Sequence, residues 1–331
     1  KIMNNDVTAF EKIPVKIFNN SEEGSVYVAR EIAALIKSRQ KENKPCVLGL
    51  ATGSSPTRLY AELVKMHQKE GLSFKNVYTF NLDEYYPMQQ EALQSYVRFM
   101  REHLFDHIDI PKKNIHIPDG TLSREEIGEF CKSYEEQIDR LGGLDIQVLG
   151  IGRTGHIGFN EPGSSEKSLT RLVSLDQVTR IDAASDFFGE ENVPRKAITM
   201  GVGSIMKAAK VYMMAWGEGK SAVIYKAVEG PVTDQIPSSF LQKHRDCTIV
   251  ADGAAASGLT RIKTPWILDS VEWDDKLIRK AVVWLCQKIK KPVLKLTNHD
   301  YMEHGMGDII TEFGSAYQAN IKVFNFLQHT I

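Results

Sequence analysis

The sequence predicts an α/β fold, a Rossmann-like parallel sheet with helices on both faces, plus extra C-terminal helices. Three observations predict it. Short apolar runs alternate with segments of helical periodicity, the pattern of a mostly parallel sheet. The runs are apolar at almost every position, as strands buried on both faces require. After about Arg261 the strand-like runs stop and only amphipathic helical patterns remain.

The elements follow in order. Ser21 is the expected N-cap of a helix over 26–38, where Val28, Ile32, Leu35 and Ile36 recur at helical spacing. Residues 46–51 (CVLGLA) form the first buried strand, and 56–70 a helix with Leu59, Leu63 and Met66 on one face. Residues 77–82 (VYTFNL) are the second strand, and 124–141 a helix capped by Ser123. Strands over 145–151, 210–216 and 247–251 complete the series. Helices are expected over 274–289 and 309–327. No repeat or low-complexity stretch interrupts the chain. At 331 residues, a prior of about 150 per domain gives roughly two domains.

Bulk composition excludes several classes. The 41 basic and 42 acidic residues nearly cancel. That balance opposes counterion-driven binding of nucleic acid and attachment to a membrane surface. No run approaches the ~18 apolar residues of a membrane span, and no long apolar stretch follows Lys1 as a signal peptide would. Cys46, Cys131, Cys247 and Cys286 lie far apart, outside any CxxC or metal-ligand spacing. They read as reduced thiols, and the expected setting is cytoplasmic.

Parallel sheets bind ligands beyond the carboxyl ends of their strands, so the loops there are the places to search. After the first strand come Ala51, Thr52, Gly53, Ser54, Ser55, Pro56 and Thr57. Small residues entering a helix behind a proline leave bare backbone N–H groups beside three hydroxyls, a ready phosphate site. A plain βα turn with a serine cap would look the same. After the second strand stand Asp83 and Glu84. Either could serve as a general base, and neighbours on a strand point to opposite faces, so only one can face a given pocket. A surface acid pair capping a helix is the alternative.

After the third strand comes a glycine-rich loop holding His156 and Glu161. Gly150, Gly152 and Gly155 formally spell GxGxxG, but the fingerprint belongs to a first βα turn that opens directly into a helix. Gly158, Pro162 and Gly163 forbid that helix here, which disfavours a nicotinamide oxidoreductase. A histidine beside a glutamate at a strand end points instead to proton transfer. After the strand at 210–216, Gly219, Lys220 and Ser221 end like a Walker A loop, but Met214 stands where its first glycine belongs. Triphosphate hydrolysis is disfavoured; Lys220 can still pair with one phosphate.

Together the strings LGLATGSSPTRLY, FNLDEYY, LGIGRTGHIGFNEPGSS and ITMGVG, with the loop over 217–221, resemble the glucosamine-6-phosphate deaminase (isomerase) family, related to the 6-phosphogluconolactonases. The likeness runs from about Val15 to Leu259, and GHIGFNEPG is its most discriminating piece. The resemblance implies a sugar-phosphate isomerase/deaminase domain over 1–260 that uses no cofactor and no metal. It implies a phosphorylated amino sugar as substrate and leaves room for a homo-oligomer. Residues 261–331 form a helical extension, consistent with a chain that continues into a further domain. By the same resemblance Asp83 is the base that moves a proton between C2 and C1 of the opened sugar. His156 assists ring opening and Glu161 orients it. Thr52, Gly53, Ser54 and Ser55 bind the phosphate, with Lys220 as cationic partner.

Two departures from the family pattern stand out. Thr154 occupies the place of an aspartate directly before the GH pair, which removes a negative charge near His156. Asp186 occupies the place of a lid arginine, before Phe187 and Phe188. Ser164, Ser165 and Arg171 match the family's allosteric pocket, but Val173 replaces a cation, so allosteric activation is not expected. The expected reaction is conversion of glucosamine 6-phosphate, or a close relative, to fructose 6-phosphate and ammonia. The alternatives are a sugar-phosphate-binding domain weakened in turnover, and a lactonase-like hydrolase.

Overall fold

The computed structural model describes residues 8–329, which cluster into two compact units, one over Glu11–Gly258 and one over 259–329 with residues 8–10. In the larger unit the strands are β1 (Val15–Phe18), β2 (Cys46–Leu50), β3 (Val77–Asn81), β4 (Asp83–Tyr86), β5 (Ile115–His116), β6 (Ile146–Leu149), β7 (Arg171–Ser174), β8 (Lys196–Thr199), β9 (Lys210–Ala215) and β10 (Cys247–Asp252). Its helices are α1 (Ser21–Lys41), α2 (Thr57–Glu70), α3 (Tyr96–His103), α4 (Ile127–Arg140), α5 (Gln177–Ala183), α6 (Val202–Met206) and α7 (Ser221–Val228). Seven strands form one sheet in the order β1-β10-β9-β6-β2-β3-β5, every pairing parallel. This is the Rossmann-like architecture the alternation predicts.

Sheet order locates the site. From β2 the chain runs outward to β3 and β5, then returns to the other side of β2 for β6, β9 and β10. The winding therefore reverses between β2 and β6, and loops leaving a sheet at such a switch point leave a crevice. All five residues of β2 are buried. Leu48, Leu50, Val77, Ile146, Val148, Tyr212, Met214 and Val250 pack with Val28, Ile32 and Ile36 of α1 and Leu59, Leu63 and Met66 of α2. That core fixes the strand ends from which the chemical loops depart.

Several local expectations are corrected. The first helix is capped by Asn20, whose side chain accepts from the Glu23 N–H, so Ser21 is already inside it. α4 starts at Ile127, after a turn whose Glu126 carboxylate accepts from the Ser123 N–H, so Ser123 is not the cap. Residues 83–86 are not a loop: β4 pairs antiparallel with β8, which pairs with β7, in a second three-stranded sheet.

The smaller unit contains α8 (Thr260–Lys263), α9 (Asp275–Ile289), α10 (Asn298–Glu303), α11 (Gly307–Phe313) and α12 (Ala316–Gln328). Ile278, Val282, Leu285, Tyr301, Ile309, Ala319 and Val323 form its own core. The single helix expected over 309–327 is two helices. Gly314 at φ 89° takes the left-handed conformation that ends α11, and the Ser315 side chain accepts from the Gln318 N–H to start α12. Among the described residues no helix is long and apolar enough to cross a membrane.

Candidate active site

The loop after β2 turns sharply into α2. Gly53 sits at φ 90°, and the Thr57 hydroxyl donates to its carbonyl at 3.0 Å. The Tyr60 hydroxyl ties down Ala51 O, and the Trp216 indole donates to Ser55 O at 2.9 Å. Pro56 precedes the helix without a side-chain cap, and Thr52, Ser54 and Ser55 line one cavity at this helix N-terminus, an arrangement suited to an anion.

β3 ends at Asn81, and the chain bends at Leu82 into β4. Because residues 83 and 84 lie on a strand, their carboxylates part company, as expected. Asp83 faces the crevice. Glu84 turns away, accepting from the N–H groups of Tyr85 and Tyr96 at 2.9 Å each, and so holds the start of α3. Burial pushes the Asp83 carboxyl up to about 7 and the Glu84 carboxyl up to about 8. Asp83 is therefore poised between acid and base near neutral pH.

The glycine-rich loop after β6 forms no helix, which removes the dinucleotide geometry. It folds back on itself: Gly152 N–H donates to His156 O and Gly155 N–H to Gly152 O, each at 2.9 Å. The His156 ring lies over Gly152 so closely that a Cβ there would meet ring atoms at 2.0–2.3 Å. Thr154 Oγ1 lies 3.0 Å from His156 Nδ1, and Glu161 Oε1 lies 3.6 Å from the same nitrogen. The hydroxyl, and not the carboxylate, is the hydrogen-bond partner of the ring.

Glu161 is itself held tightly. The Thr179 hydroxyl lies 2.8 and 2.9 Å from its two oxygens, and the Asp176 N–H donates at 3.3 Å. Burial raises the Glu161 carboxyl to about 7. Burial, assisted by the nearby Lys220 charge, lowers His156 to about 4. The imidazole is accordingly neutral at physiological pH. Lys220, on a 3₁₀ turn over Glu218–Lys220, donates to Ile151 O at 2.6 Å, and burial lowers its amine.

Thr52, Gly53, Ser54, Ser55, Asp83, His156 and Lys220 all line one cavity of about 230 Å³, together with Tyr96, Gly150, Gly152, Gly158 and Phe159. Glu161 stands behind His156 and does not line it. A neighbouring cavity of about 630 Å³ shares Gly53, Ser54 and Tyr96 and extends to Asp186, Phe187 and Phe188. Arg171 Nη1 donates to Asn160 Oδ1 at 2.9 Å, and Asn160 donates to Ile157 O and Met200 O at 2.8 Å. This arrangement locks the far end of the glycine-rich loop. Tyr96 and Thr179 escaped the sequence reading. Tyr96 follows the cap Ser95 with no spacing signal, although its hydroxyl is in hydrogen-bonding reach of Thr52. Thr179 is one polar residue on a short helix. Among the described residues no group of three His, Cys, Asp or Glu side chains is arranged to hold a metal ion.

Comparison with known proteins shows the chain's family. The family described as glucosamine-6-phosphate isomerases/6-phosphogluconolactonase matches residues 19–250. A glucosamine-6-phosphate deaminase-like protein of Bacteroides thetaiotaomicron is 52% identical over 98% of this chain, which spans 49% of that relative's length. Glucosamine-6-phosphate deaminase of Thermoanaerobacter sp. (strain X514) is 46% identical over 70% of this chain and 90% of its own length. The structure of a monomeric glucosamine-6-phosphate deaminase superposes with a TM-score of 0.71 at 40% identity, covering 74% of this chain and all of the other. A 6-phosphogluconolactonase of Trypanosoma brucei, at 18% identity and a TM-score of 0.62 over 75% of this chain and 99% of its own, shares the fold. The chain belongs to the glucosamine-6-phosphate deaminase (isomerase) family, related to the 6-phosphogluconolactonases.

Proposed function

We propose that the chain converts glucosamine 6-phosphate, or a close relative, to fructose 6-phosphate and ammonia. The observation that carries the proposal is the sharing of one cavity by Asp83, His156, the 52–55 turn and Lys220. The phosphate docks on the turn and Lys220, which sets the sugar carbons toward the other wall. Neutral His156 accepts the proton of the anomeric hydroxyl and returns it to the ring oxygen, opening the ring to the aldehyde. Ionised Asp83 then takes the C2 proton while one proton of the C2 ammonium passes to O1, leaving a neutral enolamine, and Asp83 delivers the C2 proton to C1. The product is the 2-imine, and water adds to it and expels ammonia. Each proton returns to the sugar or leaves with the product, so the residues end as they began.

Asp83 is the group on which this reading turns. A carboxyl raised to about 7 is a stronger base than an exposed one and still ionised in useful fraction at neutral pH. A lactonase-like reading leaves Asp83 without a task. A reading as a binding domain weakened in turnover draws on Thr154, which gives His156 a hydroxyl in place of a carboxylate. We take residues 1–260 as the enzyme's domain and 261–331 as a helical module leading onward. The test is ammonia release from glucosamine 6-phosphate: a steady rate abolished by Asp83→Asn supports the deaminase. Tight binding of the sugar phosphate without ammonia supports the binding domain instead.

A further inference from the structure

A phosphate monoester carries close to two negative charges at neutral pH. Among the residues lining the cavity, Lys220 is the one cation, its amine already bound to Ile151 O. The lid segment supplies an acid, Asp186. A second positive charge has to come from elsewhere.

Arg153 stands at the right place. It directly follows Gly152, which lines the cavity, and its exposed guanidinium grips Asp182 in a two-pronged pair. Nη2 lies 2.8 Å from Oδ1 and Nε 3.3 Å from Oδ2. The Asp182 carboxylate is near enough to the crevice to act on both of its basic groups. It opposes the lowering that burial imposes on Lys220, and likewise opposes the lowering of His156 by burial and Lys220. The fork of Arg153 is therefore held beside the cavity by an oxyanion, and phosphate oxygens accept the same fork.

The anchoring of α5 makes an exchange feasible. Asp176, Thr179 and Asp182 are spaced three apart and so share a helix face. The first two grip buried Glu161 through a backbone N–H and a hydroxyl. α5 thus stays seated on the glycine-rich loop when Arg153 lets go of Asp182. An exposed ion pair of this kind is weak.

We propose that Arg153 is a second phosphate-binding cation of this site, with Asp182 holding its guanidinium until the substrate's phosphate takes that place. The inference rests on the deaminase reading for the identity of the ligand, but its test does not need turnover. The measurement is calorimetric titration of inorganic phosphate, glucosamine 6-phosphate and glucosamine into the wild type, Arg153→Ala, Arg153→Lys, Asp182→Asn and the Arg153→Ala/Asp182→Asn double variant at low salt. Arg153→Ala should weaken both phosphate ligands by about tenfold or more, the usual worth of a charge-assisted contact, and leave glucosamine unchanged. Arg153→Lys should fall between. Asp182→Asn should tighten phosphate, and the double variant should lose that gain.

Phosphate affinity within twofold of wild type in Arg153→Ala overturns the inference. So does equal weakening by Arg153→Ala and Asp182→Asn, the mark of a latch that merely seats α5. Persistence of the Asp182→Asn gain in the double variant also overturns it, because the gain is then only the loss of an anion. Arg153-dependent phosphate binding without ammonia release keeps this inference and removes the deaminase reading. Ammonia release with a KM indifferent to Arg153 does the reverse.

Discussion

Gly152→Ala is the sharpest test of His156, because the structure fixes how far the ring must move. An added Cβ would meet Cε1 at 2.0 Å, Nε2 at 2.2 Å and Nδ1 at 2.3 Å. Ordinary contact begins near 3.4 Å, so the imidazole must retreat by about 1.4 Å, the difference between 3.4 and 2.0. It cannot retreat freely, since Thr154 and Glu161 stand 3.0 and 3.6 Å from Nδ1. A displacement of about 1 Å at a reacting group costs on the order of 100-fold. Overpacking costs stability too, typically ~1–3 kcal/mol, a loss of several degrees in Tm in a unit of this size. The assay is kcat for ammonia release on the folded variant, with phosphate affinity as control, because the 52–55 turn is untouched. Expected are a kcat lowered by about two decades and a Kd for inorganic phosphate within twofold of wild type. A folded Gly152→Ala enzyme with wild-type kcat would refute the assignment of ring opening to His156.

Asp83→Asn should lower turnover by ~10²–10⁴-fold while leaving phosphate binding intact, and more than about a tenth of the rate remaining would remove Asp83 from the role. The same variant tests burial. Asp83 is raised from 3.8 to about 7, so the unfolded carboxyl ionises first and the folded state is penalised as pH rises through that window. Asp83→Asn should therefore melt above wild type at pH 8, and the gap should close toward pH 4. In the wild type, kcat/KM should fall as pH drops through about 7, where Asp83 takes up its proton; an acid limb near 4 would point to His156 as the controlling group. Lys220→Ala should raise KM for the phosphorylated sugar by about one to two decades, and equal wild-type affinity for glucosamine and its 6-phosphate would sink the phosphate assignment. Thr154→Asp combined with Asp186→Arg should raise kcat/KM, the first change through His156 basicity and the second through phosphate affinity. Robust wild-type turnover that neither change improves would show both departures to be compensated.

The five inner strands of the central sheet, β10, β9, β6, β2 and β3, were legible because they are buried on both faces and so are largely apolar, as in CVLGL of β2. The second sheet was not, because DEYY, RLVS and KAIT are short and mix polar with apolar residues. Its strands also find one another across long stretches of chain: Asp83 pairs with Thr199, and Arg171 with the same residue. Edge strand β1 hides for a related reason: VKIF is only four residues long, carries an exposed lysine and is nowhere fully buried. The run 309–327 misled in the opposite sense. Apolar periodicity continues across Gly314, while the backbone there leaves the helix.

Most of the cavity's lining, with the exception of Tyr96, which enters after the unrecognised β4, was legible because its loops follow strands that could be recognised. The surroundings of His156 were not, since they are built by α5, which lies some twenty residues further along and carries no chemical signature of its own. That difference changes the meaning of Thr154. In sequence it is the loss of a charge; in the structure its hydroxyl is the partner of Nδ1, closer than Glu161. A carboxylate in that position would favour the imidazolium, whereas burial, assisted by the Lys220 charge, keeps the ring neutral down to about 4. Ring opening begins with a proton leaving the anomeric hydroxyl, which asks for a free base and not for a cation. On the proposed reaction, Thr154 therefore lowers the strength of that base without removing it, and pH control is expected from Asp83, the one lining group raised to about 7.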